Sequence, residues 1–330
     1  MKARFYLAVG AIALCLGFLI IHRSPSDFPP HTAIGSVLIT VSQGESGTQI
    51  AADLAKDGVI KSSATFIGVV NSDPAGRSIA PGVHKIATHI PAKIALVQML
   101  DQALIQNVIV VKEGSTQSQI EKALRSDGQL VSHPLSGNYP LPIANPMHSL
   151  EGELAPAQYS FAPGTTTGAA ISQMLAQAKS NFASTGILKG YDGYSSYQLL
   201  TIASLLQIEA DPGDFAKAAR VIYNRLKIGM ALQLNSTVAY AAGITGQIGL
   251  SVAATHIDSA YNTYLHQGLP PTPISNPSLA AIKAVTNPAT GNWLYFITVA
   301  PHDTRFTNSY SQFETWVTLY NHNVSIGLFK

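Results

Sequence analysis

One uninterrupted apolar stretch opens this chain, and short punctuated segments of hydrophobic and polar residues follow it to the end. The opening stretch runs from Phe5 to Ile21, with Lys2 and Arg4 before it and His22 and Arg23 after it. At about 1.5 Å per residue, a helix of this length spans roughly 25 Å, the short end of what crosses a membrane. A cleaved signal peptide is the competing reading. No small-x-small site follows Ile21, and Leu14 before Cys15 suits no lipoprotein site, so an uncleaved single-pass anchor over 1–23 is expected. The basic residues ahead of the run favour a cytoplasmic N-terminus, a bias that Arg23 weakens, and leave the remaining chain facing the periplasm or cell exterior.

Residues 24–35 (SPSDFPPHTAIG) have the composition of a linker. Beyond them Val37–Val41 predicts a strand, Thr48–Asp57 a helix through Ile50, Leu54 and Ala55, and Ser63–Asn71 a second helix, while Pro81–Gly82 leads into a short strand. The segment 41–54 (VSQGESGTQIAADL) aligns without gaps to 111–124 (VKEGSTQSQIEKAL), sharing Val, Gly, Gln, Ile and Leu at matched places. This predicts one strand–turn–helix motif used twice, each helix capped by Ser or Thr. The Pro-rich stretch from Leu130 to Ala157 predicts the main domain boundary. Helices are expected at 167–183, 195–210, 215–226 and 279–285, an irregular but ordered loop at 260–278, and a buried strand over Trp293–Val299.

Composition narrows the function. Only 12% of residues are charged, about half the usual share, and the net charge is +2, too little of a basic field for nucleic acid. A surface rich in neutral hydroxyls and amides suits a polysaccharide. Cys15 is the single cysteine, so no intramolecular disulfide or thiolate metal site can form. There is no HExxH, no P-loop, no helix-opening GxGxxG and no GxSxG, and the ten histidines lack metal-ligand spacing. Carboxylates remain as the catalytic candidates. Glu209 ends the apolar run LLTIASLLQIE, one turn beyond Leu205 and Leu206. A carboxyl against that face is partly desolvated and stays protonated nearer neutrality, as a general acid must. On chemistry alone, a helix-end carboxylate paired with Arg220 or Arg225 is the better reading.

Four further segments stand in a telling order: IASLLQIEA (202–210), RVIYNRLKIGMALQLNSTVAY (220–240), YNTYLHQGLPPTPISNP (261–277) and WLYFITV (293–299), with SLEGELAPAQY (149–159) upstream. Together they resemble the endolytic murein transglycosylase family, the MltG/YceG-like proteins, over roughly residues 35–310. The resemblance implies an α+β fold: an N-terminal transmembrane helix, a small LysM-like α/β module over 36–130, and a mixed α+β catalytic domain over 131–330. It places the catalytic glutamate at Glu209. It also implies substrate contacts from Gln207, Asn224, Gln233, Tyr261, Asn262 and Tyr264, and neither metal nor cofactor. Gln207 stands where the family has a first acidic residue, so a second carboxylate is missing there. Asn235 and Ser236 replace the family's usual Asp-Pro, and 300–316 departs from its C-terminal turn.

The implied activity is lytic cleavage of the bond between N-acetylmuramic acid and N-acetylglucosamine with a 1,6-anhydro end, trimming or terminating nascent strands at the inner membrane. Peptidoglycan strands are the expected partner, and membrane-bound peptidoglycan synthases are candidates beside them. Two alternatives stay open. A hydrolytic muramidase would need a second acid near Glu209, with Glu151, Glu153 or Asp211 available; a non-catalytic LysM-type wall-binding protein would need none.

Overall fold

The computed structural model describes residues 26–132, 138–244 and 255–329. The predicted anchor and Cys15 lie outside them. Among the described residues no helix is long and apolar enough to cross a membrane. The chain divides into two compact units, Met1–Val108 with Tyr159–Pro163, and Ile109–Gln158 with Gly164–Lys330. The division therefore falls at 108 rather than near 130, where prolines predict it. The prolines mislead because the stretch around 140–155 belongs to the second unit, where Ile143, Asn145 and residues 150–155 are buried and Glu153 accepts hydrogen bonds from the Ile143 amide at 3.0 Å and Asn145 Nδ2 at 3.1 Å.

The first unit is built from β1 (Ser36–Val41), α1 (Gly47–Lys56), α2 (Ser63–Ser72), β2 (Gly82–Ala87) and α3 (Ala92–Leu100). β1 and β2 pair antiparallel from Ser36 opposite Ala87 to Val41 opposite Gly82. The period-two pattern of β1 sends Ile39 and Val41 inward against Ile50, Leu54, Phe66 and Leu96. Fully burying each such side chain is worth about 1.5–3 kcal/mol. Ser46 caps α1 by accepting from the Gln49 amide at 3.2 Å. Residues 27–35 are not a free linker: Asp27 accepts from the Ala92 amide at the start of α3, Phe28 lies 4.8 Å from the His89 ring, and Thr32 Oγ1 donates to the His89 carbonyl.

Next in the chain come β3 (Val108–Val111), α4 (Gln117–Ser126) and β4 (Ala157–Ser160), with β3 paired to β4. α4 repeats α1 at the 70-residue offset, down to the left-handed glycine ahead of each helix, Gly44 at φ 75° and Gly114 at φ 78°. Thr116 and Gln119 form a reciprocal capping box at its start. Both copies of the motif are thus real, but they lie in different units, because α4 belongs with the second.

The second unit continues through α5 (Thr167–Thr185), α6 (Ser196–Glu209), α7 (Phe215–Lys227), α8 (Asn235–Ala241), α9 (Leu279–Thr286), β5 (Tyr295–Ala300), β6 (Asp303–Thr307) and α10 (Tyr310–Ser325). α6 is its axis. Leu199 through Leu206 are all buried, so this helix is apolar all round, as a central helix must be. A Ser195–Gln198 capping box starts it, and Glu209 is its last residue. The 260–278 segment is irregular, as its prolines predict, yet Thr272 to Ser278 are buried against α6. Ser204 makes this possible: its hydroxyl accepts from the Ile274 amide at 3.0 Å, and its carbonyl accepts from Ser275 Oγ at 3.1 Å. The predicted buried strand at 293–299 is instead half of a two-stranded hairpin, β5 with β6, in which Val299 alone of β5 is buried.

Candidate active site

α6 delivers Glu209 to the wall of a pocket of about 970 Å³ within the second unit. Facing walls come from the first turns of α4, from Glu151, and from α8 with Asn235, Ser236 and Tyr240. No Lys or Arg stands among the described residues that line it. Glu209 keeps partial access to solvent but is densely surrounded, and that desolvation raises its pKa. Three opposing influences favour the carboxylate. The Ser236 amide donates to Oε1 at 3.1 Å, the Ser236 hydroxyl lies beside the same carboxyl, and the Arg225 guanidinium adds a favourable field. Burial is the largest of these effects, so the carboxyl holds its proton to higher pH than an exposed glutamate.

Neither arginine neutralises Glu209 by pairing with it. Arg220 Nε donates to the Ala289 carbonyl at 2.6 Å. Arg225 Nε donates to the Leu294 carbonyl and Nη1 to the Leu232 carbonyl, both at 2.6 Å, and its guanidinium sits 5.4 Å from the Tyr295 ring centre. Such a planar fork binds several carbonyls at once. It fixes the β5 hairpin to α7 and acts on Glu209 only as a nearby charge.

The other carboxylates near the site are committed. Glu151 is buried, and its two oxygens accept from the Gln117 amide at 3.0 Å, Tyr240 Oη at 3.1 Å and Asn276 Nδ2 at 3.2 Å. Glu121 accepts from Gln117 Nε2 at 2.8 Å. Glu153 is occupied by Ile143 and Asn145. Asp211 turns outward and meets His302 Nδ1 at 3.0 Å. Between Glu151 and Glu153, Gly152 has φ 85°, and a Cβ there would lie 2.8 Å from the Pro273 ring. That close approach locks the 149–154 turn onto the Pro-rich loop.

Burial raises the pKa of both Glu151 and Glu153 to about 7, from an ordinary value near 4.5. A raised folded-state pKa favours the protonated native protein, so stability is fullest below pH 4.5 and falls as pH rises through 7. The protein is therefore expected to melt at a higher temperature at pH 5 than at pH 8, the two groups together accounting for about 5 kcal/mol at most. Thermal melts across that range check this, and Glu153→Gln is expected to flatten the slope.

The remaining expected site residues divide. Tyr264 Oη donates to Asn235 Oδ1 at 2.7 Å, and its pKa is raised by burial and by the charge of Glu209, which puts it beside the acid. Tyr261 packs its ring at a tilt against Tyr240, centroids 5.0 Å apart, and bonds Thr272 Oγ1 at 2.9 Å, supporting the α8 wall. Gln207 does not face a ligand site: its Oε1 accepts from the Ser278 amide at 2.8 Å and anchors the end of the loop. Asn262 is fully buried, its Nδ2 donating to the Thr255 and Ile257 carbonyls and its Oδ1 accepting from the Tyr264 amide. Asn224 Nδ2 likewise serves the Gly291 and Trp293 carbonyls. Gln233 is exposed at φ 50°, outside the pocket lining, and its amide donates to the Thr263 carbonyl at 3.0 Å. Ser236, Tyr240 and the α4 turn, which are not among the expected contacts, line the pocket where these amides do not. Residues 236 and 240 sit four apart on one helix face, a spacing visible in the sequence once α8 is recognised.

The YceG-like family's sequence model matches residues 39–318. An endolytic murein transglycosylase of Bacillus subtilis (strain 168) is 31% identical over 297 residues, covering 83% of this chain and 82% of that protein. A second, from Streptococcus pneumoniae serotype 2, is 38% identical over 164 residues, 48% of this chain and 30% of that one. A crystal structure of a YceG-like protein from Listeria monocytogenes superposes with a TM-score of 0.51 at 22% identity, over 85% of this chain and 98% of the other, which marks a common fold.

Proposed function

We propose that this chain, which belongs to the YceG-like family, is an endolytic murein transglycosylase that cleaves peptidoglycan glycan strands with Glu209 as its single acid and base. The observation that carries the mechanism is the contrast among carboxylates. Glu151, Glu153, Glu121 and Asp211 are engaged by other groups, whereas Glu209 opens onto the pocket with one backbone donor. A two-carboxylate glycosidase needs a second free oxygen pair to activate water or attack carbon. A lytic transglycosylase needs only one.

Protonated Glu209 donates to the oxygen that links C1 of N-acetylmuramic acid to the next sugar, and the C1–O bond breaks to release that sugar's hydroxyl. The resulting carboxylate then takes the proton from the muramyl C6 hydroxyl, whose oxygen bonds to C1 and closes the 1,6-anhydro ring. The substrate thus supplies its own nucleophile, and Glu209 ends protonated, ready for another cycle. Asn235, Tyr264 and Ser236 stand close enough to the carboxyl to orient the sugar.

The β1–α1–α2–β2 order of the first unit, with its antiparallel strands, fits a LysM-like module that would grip the strand. The apolar run Phe5–Ile21 would hold both units at the inner membrane beside the synthases that extrude new glycan. Mass spectrometry of digested peptidoglycan tests the reaction. Anhydro-muramyl ends are expected; reducing ends would identify a muramidase, and no release at all a binding protein.

A further inference from the structure

Ser236 meets the proposed acid through its amide, and its side chain completes no hydrogen bond among the described residues. Its amide, in the first turn of α8, is one of the donors a helix start leaves without an internal partner, and it is satisfied by Glu209 Oε1 at 3.1 Å. Its hydroxyl is buried without a completed hydrogen bond, beside the same carboxyl. A buried hydroxyl costs free energy unless something accepts from it, and an ionised carboxylate is the strongest acceptor within reach.

We infer that Ser236 is the positioning residue that sets when Glu209 gives up its proton: its amide and hydroxyl together stabilise the carboxylate formed after the glycosidic oxygen is protonated. The inference rests on Glu209 being the catalytic group. It adds that the two half-reactions are balanced through α8. Both donors gain strength as Oε1 becomes charged, so they favour release of the proton, while burial favours keeping it.

The other charged and titratable groups around Glu209 do not duplicate this role. From α7, the Arg225 guanidinium favours the carboxylate but spends its hydrogen bonds on carbonyls. From the 260–278 loop, Tyr264 donates to Asn235. Glu151, Glu121 and Tyr240 line the same pocket and bond to partners other than Glu209. Ser236 alone of these donates to the acid.

The test follows the Glu209 carboxyl directly by ¹³C NMR titration of the glutamate-labelled chain, assigned by the resonance lost in Glu209→Gln, beside the pH profile of kcat/KM on purified glycan strands. Ser236→Ala removes the hydroxyl and is expected to raise the Glu209 midpoint and the alkaline limb together by about half a pH unit. Ser236→Pro removes both donors at a first-turn position where proline is tolerated, and is expected to raise them by about one unit. Ser236→Thr is expected to restore the wild-type midpoint. An unmoved midpoint in both Ala and Pro variants overturns the inference, as does a lowered melting temperature with no change in titration. A midpoint that moves while the pH profile stays fixed upholds the coupling and removes Glu209 from catalysis instead.

Discussion

Glu209→Gln is expected to slow glycan cleavage by about 10³- to 10⁴-fold while leaving the fold intact. General acid–base catalysis by one group is ordinarily worth about 10²- to 10⁴-fold, and here the same carboxyl acts in both proton transfers, which puts the loss at the upper end. Glutamine matches the shape and still offers an oxygen to the Ser236 amide, so the α8 contact at 3.1 Å survives. It also relieves the desolvation of a buried carboxyl, so the variant should melt no lower than wild type, with the difference growing as pH rises and wild-type Glu209 ionises. Initial rates of anhydro-muropeptide release, read beside thermal melts, check both halves. Wild-type rates in this variant would remove Glu209 from the mechanism. A collapsed melting temperature would show that its role is structural.

Gly152→Ala should destabilise the second unit by about 3 kcal/mol or more. Two costs add. The backbone there sits at φ 85°, which a Cβ disfavours, and the new atom would meet the Pro273 ring at 2.8 Å and Leu200 Cδ2 at 3.2 Å. Neither neighbour can withdraw easily: Pro273 is a rigid ring in a buried loop, and Leu200 belongs to the central helix. The turn that would shift carries Glu151, so the pocket floor moves with it and activity falls too. Chemical denaturation gives the size of the effect. A change below about 1 kcal/mol would mean that the 149–154 turn is far softer than its contacts imply.

The elements that the sequence made legible share a feature: their local signals agree with their burial. α6 combines an apolar run with a Ser–Gln capping box, so its start and its carboxylate end were both readable. The repeat was equally plain, since the left-handed glycine and the capped helix recur at a fixed offset. What stayed hidden lacks that agreement. α3 leaves Ile94 and Val97 exposed, which blurs its hydrophobic face, and α10 carries aromatic and β-branched residues with none fully buried. α8 is only seven residues long. The pocket-lining position of Glu209 was legible, and its surroundings were not, for a different reason. Asn224, Asn262 and Gln207 look like sugar-binding amides in a sequence, but an irregular loop buried against a helix has backbone groups to satisfy, and these side chains meet that demand first. Which amide serves the chain and which serves a ligand is decided by tertiary neighbours.

The way the chain is shared between its units bears on how such a protein can be rearranged. Neither unit is one continuous segment, since Tyr159–Pro163 returns to the first after the second has begun. Exchanging the N-terminal part between relatives at one junction near 130 would replace α4, whose Gln117 amide Glu151 holds, and with it one wall of the pocket. A faithful exchange needs junctions after Val108, Gln158 and Pro163 together. Joining whole modules end to end at a single junction would therefore cut through one unit or the other.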